Sequence, residues 1–97
     1  VTATRSAATR RGVVRLLNTA AGRALVLAGE VDAAAVEAFW RCYGREPVRV
    51  DRVDAGSVTA LSPSGRELLA DTLEAAELAG RPVALRPSPV VRAALGG

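Results

Sequence analysis

Histidine, lysine, isoleucine and methionine are absent from this 97-residue sequence, which holds a single cysteine and one each of Phe, Trp and Tyr. Each absence removes a class of function. Without histidine there is neither an imidazole base nor an imidazole metal ligand, so Ser-His-Asp hydrolases, Cys-His proteases and histidine-bound metal hydrolases are excluded. Cys42 can close no internal disulfide and has no second Cys or His to activate it, so a structural thiol is expected. No apolar run is long enough to span a bilayer, and no basic stretch leads into a hydrophobic one as in a secretory signal. A cytoplasmic protein without membrane insertion is therefore expected, with no metal and no cofactor.

What is present suits one small domain. Almost half the residues are hydrophobic, nearly all of them Ala, Val and Leu, and a chain of about 100 residues can bury one modest core. Thirteen arginines without a lysine, and alanine at about a fifth of the chain, match the codon usage of a GC-rich genome. The net charge of +3 is a weak nucleic-acid signal, because phosphate tracking needs clustered cations. Only Arg5, Arg10, Arg11 and Arg15 cluster, with no acid among them. A solvated segment accounts for them, and no specific nucleic-acid partner is expected. Residues 1–11 are small, polar and aperiodic, which predicts a flexible segment ahead of one domain over 12–97.

Val13, Val14, Leu16 and Leu17 suit a first strand, Asn18–Gly22 carries turn chemistry, and residues 24–28 suit a second strand paired as a hairpin. Gly29-Glu30-Val31-Asp32 reads as a turn ending in a helix cap. Val36, Phe39, Trp40 and Tyr43 fall at i, i+3, i+4 and i+7, predicting a helix over 33–43 whose aromatic face is core. Gly44 and Pro47 end it. Residues 48–53 alternate apolar and charged, which predicts a strand. Residues 54–64, rich in Gly, Ser and Pro, predict a connector. A second helix is expected from about 63 to 79, with Leu69, Leu73 and Ala76 inward and Glu67, Asp71, Glu74 and Glu77 outward. A last strand is expected at 83–86, followed by a helix opened by Ser88-Pro89. Strands alternating with helices predict an α/β domain: a small mixed sheet, N-terminal hairpin then parallel strands, with helices packed mainly on one face. Val26, Val36, Phe39, Trp40, Val50, Leu69, Leu73 and Leu85 are expected to share one core.

Ligands and partners of open α/β sheets meet the protein beyond the carboxyl ends of the strands. Here those places are 29–32 and the 54–65 connector, which ends Ser62-Pro63-Ser64-Gly65. Ser62 can cap, Pro63 suits the first helical position, and Ser64 with Glu67 matches a capping box. These features start a helix and, by themselves, require nothing more.

GEVD at 29–32, an aromatic-bearing helix, and VRVDRVDAGSVTALSPSGRELLADTLEAAELAGRPVALRPSPVVRAAL at 48–95 together resemble a STAS domain. This is the module of bacterial anti-sigma factor antagonists and sulphate transporter tails. The family pattern runs Gly-Glu-Leu-Asp after the second strand, then a strand ending in Asp, then an Asp-Ser-Ser-Gly helix start. Asp54, Val58, Gly65, Leu68 and Leu69 fall on family counterparts. The resemblance implies a non-catalytic protein-interaction module that docks its partner through Gly29, Glu30, Asp32, Ser62, Pro63, Ser64, Gly65 and Arg66.

One departure bears on regulation. The first serine of Asp-Ser-Ser-Gly is the family's phosphoacceptor, and Pro63 stands in its place, with Ser62 at the preceding Asp position. Proline has no hydroxyl, so phosphorylation at that position is excluded, and Ser62 or Ser64 is the fallback acceptor. The partner implied is an anti-sigma factor of the kinase-like type. An accessory role with a membrane transport ATPase subunit is the alternative reading of the resemblance. A small nucleotide-binding domain is the third, although no Gly-rich phosphate cradle is present.

Overall fold

A computed structural model describes residues 12–96, so the segment 1–11, with its expected flexibility and most of its basic cluster, lies outside the described residues. The elements run β1 (Val13–Thr19), β2 (Gly22–Val31), α1 (Ala33–Tyr43), β3 (Arg52–Leu61), α2 (Pro63–Leu78), β4 (Ala84–Pro87) and α3 (Pro89–Ala94). The sheet order is β1-β2-β3-β4, with β1 antiparallel to β2 and β2, β3 and β4 mutually parallel. The domain is thus α/β with a mixed sheet, as its alternating elements predict. All three helices feed one apolar cluster against one sheet face: Val36 and Phe39 from α1, Leu68 and Leu69 from α2, and Val91 from α3. None of the three is long and apolar enough to cross a membrane.

The hairpin turn falls within the expected Asn18–Gly22 stretch, with Gly22 and not Asn18 supplying the positive φ. Ala20 and Ala21 form it, both at negative φ, and Gly22 takes φ 124° as the first residue of β2. Asn18 supplies no positive φ. It sits inside β1 opposite Arg23 and accepts a hydrogen bond from that guanidinium Nε at 3.2 Å. Thr19 Oγ1 donates to the Gly22 carbonyl at 2.8 Å, closing the loop from the side.

The third strand is displaced from its expected place. Residues 48–50 alternate in burial, Val50 buried and Arg49 exposed, yet they carry no ladder. The register explains why: Ala24 pairs with Arg52, so residues before 50 lie beyond Gly22, where β2 has not begun. The ladder instead runs through the stretch expected to be a connector. Its Gly and Ser residues are absorbed by two irregularities in the β2–β3 pairing, where Val26 faces Asp54 but Ala28 faces Ser57, and Gly29 faces Val58 but Glu30 faces Ala60. Each adds a residue to β3, the signature of a bulge. The first shifts the inward set from Val53 and Ala55 to Val58.

Of the expected core, Val36, Phe39, Val50 and Leu69 lie in the buried cluster and Trp40, Leu73 and Leu85 pack against it, but Val26 does not. In β2 the inward positions belong to Leu25, Leu27 and Val31, so Val26 faces away from the core cluster, half-buried on the same side as the buried Ala24. Trp40 is half-buried against the core and Tyr43 is exposed. Helix α1 packs over β1 and against α2, at the margin of the sheet, so the outer part of its aromatic face reaches solvent. There the Arg45 guanidinium lies 3.9 Å from the Trp40 ring centroid, and the Phe39 and Tyr43 rings are 4.9 Å apart. Leu73 and Leu85 are likewise partly buried.

Asp51 fastens the end of the molecule where β3 enters. Its carboxylate accepts from the Arg23 N–H at 2.8 Å and from Arg81 Nη2 at 3.3 Å, while its own N–H donates to the Arg23 carbonyl at 2.8 Å.

The strand facing yields a direct test by urea denaturation. Leu27→Ala should cost about 2–5 kcal/mol, as truncations in packed cores do. Val26→Ala, facing away from the core cluster, should cost about 1 kcal/mol or less.

Candidate docking edge

Parallel strands β2 and β3 end side by side, and each turns directly into a helix. Asp32 is the N-cap of α1, its Oδ1 accepting from the Ala35 N–H at 2.9 Å. Ser62 is the N-cap of α2, its Oγ accepting from the Gly65 N–H at 3.1 Å. The Ser62 N–H donates to the Val31 carbonyl at 2.8 Å, so the ladder continues to the caps and holds the two helix starts together. Gly65 makes that approach possible. It is buried, and a Cβ there would stand 2.7 Å from Leu61 Cδ1 and 3.0 Å from Val31 Cγ1.

The predicted site residues therefore share one edge, in different roles. Glu30, Asp32, Pro63 and Arg66 are exposed, Gly29, Ser62 and Ser64 are half-buried, and Gly65 is buried beneath them. Gly29 and Glu30 belong to β2 itself, not to a turn as expected, and Gly29 holds φ 72° at the second register irregularity. The expected Ser64–Glu67 capping box is not formed. Ser62 does the capping, which puts Ser64 inside the first turn, and Glu67 instead lies 4.0 Å from Arg45.

Charge on this edge is divided. Glu30 and Asp32 present carboxylates beside β2, while the first turn of α2 holds no acid and carries Arg66. Arg66 takes part in neither ion pair found among the described residues. A cation in the first turn opposes the helix dipole, and the Arg66 side chain is exposed to solvent. Among the described residues no three His, Cys, Asp or Glu side chains group as a metal site.

Sequence reasoning missed Gly12. A Cβ at Gly12 would overlap the Glu30 carbonyl oxygen and stand 2.8 Å from Val31 Cα, so the chain enters β1 against the end of β2. Gly12 lines a hollow with Asp32, Ala34 and Ala35, adjoining the docking edge. A glycine before a strand carries no periodic signal, so nothing in the pattern marks it. Compared with protein-family models, curated proteins and solved structures, the chain matches none.

The two serines should separate in thermal or urea unfolding. Ser62→Ala removes the cap and should cost about 1 kcal/mol, whereas Ser64→Ala should cost about 0.5 kcal/mol or less.

Proposed function

We propose that this chain is a STAS-like protein-recognition domain of the anti-sigma factor antagonist kind, competent to bind without a phosphorylation switch. The observation that carries the reading is the paired helix starts at Asp32 and Ser62, with Pro63 in the first turn. Hydrogen-bonded caps joined through Val31 make a rigid edge, suited to docking with little ordering cost. The split charge of Glu30 and Asp32 against Arg66 favours a partner that offers a complementary pair, fixing orientation as well as contact.

Pro63 governs regulation in this reading. A phosphate adds about −1.5 to −2 charges and three acceptor oxygens, enough to eject a docked surface. Pro63 has no oxygen to carry one. The Ser62 hydroxyl is engaged as a cap, and Ser64 is half-buried one position beyond the family acceptor. A general-acid or nucleophilic role has no support in the residues of this edge, which lack a base placed against either serine.

The test is incubation with kinase-type anti-sigma factors and ATP, followed by intact-mass measurement and size-exclusion chromatography. The wild-type chain should form a complex with one of them, acquire no phosphate and stay bound in ATP. Pro63→Ser should gain a single phosphate and release the partner. Stoichiometric phosphate on wild-type Ser62 or Ser64 with release, or no complex with any of them, contradicts the proposal. Complex formation with a transport ATPase subunit instead would assign the edge to that role.

A further inference from the structure

A second feature lies at the other end of α2, away from the docking edge. The inward face of this helix changes character along its length. Leu68 and Leu69 fill the core and Leu73 packs against it, but toward segment 48–50 the second half offers only Ala75 and Ala76, with the exposed C-cap Ala79 beyond. Small side chains there leave a groove of about 360 Å³ beside the extended segment 48–50, whose Val50 is still buried in the core. Its walls are mainly apolar, with Val48 and Val50 opposite the alanines. Thr72 lies at its inner end, but its hydroxyl donates to the Leu68 carbonyl at 2.8 Å and offers the groove no free donor.

Two guanidiniums line the same groove, Arg49 and Arg81. Arg81 is spoken for, since its Nη2 lies 3.3 Å from Asp51 Oδ1. Arg49 is exposed and belongs to neither ion pair among the described residues. Counting Asp51 against Arg81, the groove's lining carries about one uncompensated positive charge, that of Arg49. That balance suits a singly charged anion and disfavours a dianion such as a phosphate monoester. An arginine fork also matches a planar carboxylate in two-point contact.

We propose that this groove binds a small amphiphilic monocarboxylate, its apolar tail lying between Val48, Val50 and the alanines and its carboxylate on Arg49. The volume lies at the lower end of the range of small-molecule pockets, about 300–1,000 Å³, which limits the ligand to a short acyl or single-ring acid. The inference stands apart from the proposed docking function, because the groove shares no residue with the paired caps.

The test is a titration of the folded chain with octanoate, read by two-dimensional amide NMR, with 1-octanol and acetate as the uncharged and tail-less controls. Octanoate should produce saturable shifts at residues 48–50 and 75–81. Octanol and acetate should each bind at least about tenfold more weakly. Arg49→Gln should bring octanoate down to the octanol level, and Ala76→Leu should abolish binding by filling the groove. Leucine is a good helix former, and retained amide dispersion shows whether that variant is folded. Should it not fold, Arg49→Gln in an exposed segment decides by itself. Absent or non-saturating shifts, shifts centred elsewhere, equal binding of octanol, or an unaltered Arg49→Gln affinity would each overturn the proposal.

Discussion

The parallel pairing of β2 with β3 is the constraint on which the remaining structure depends. It places Leu25, Leu27 and Val31 beside Val53, Ala55 and Val58, the floor on which all three helices pack. It also ends in the Ser62 N–H to Val31 carbonyl bond, which brings two helix caps from residues 30 positions apart in sequence onto one edge. Parallel strands need a crossover, and α1 supplies it, so its cap at Asp32 and its stop at Gly44 are part of the same requirement. Loss of this pairing would separate the caps and open the core together.

The extra residues in β3 keep that arrangement consistent. Without the first of them Ser57 would take the inward position that Val58 holds, and the alternation would place a hydroxyl on the core. With them, a segment of mixed polarity pairs along its length and still presents valine and alanine inward. Gly56 sits at the first irregularity, where the nearest neighbours of an added Cβ would be Arg86 side-chain atoms, 3.5 Å away.

Helices were more legible than strands, for physical reasons. Helix α1 announces itself through the Val36–Phe39 spacing, the Asp32 cap and Gly44, and all three are local. Ser62-Pro63 and Ser88-Pro89 mark the starts of α2 and α3 in the same way, since capping is decided within one turn. β3 was not legible, because its Gly-Ser-Thr stretch is a strand only by virtue of β2 beside it, and bulges leave no periodic trace. The alternation at 48–50 gave the right burial but no ladder, since pairing depends on where the neighbour begins. Facing in β2 was misjudged at Val26 because both flanking leucines and Val26 itself are apolar. The edge at Asp32 and Ser62 is legible because its positions are helix starts, whereas Gly12 joins it only through tertiary approach.

The proposed recognition rests on two helix starts held together by hydrogen-bonded caps. The most direct measurement of this account is amide hydrogen exchange on the complex with a kinase-type anti-sigma factor. The account predicts new protection concentrated at residues 30–35 and 62–67, the two helix starts, with the sheet face carrying Val26 and Arg86 unchanged. Protection confined to that sheet face or to the outer surface of α2, with both caps exchanging as in the free chain, would contradict it.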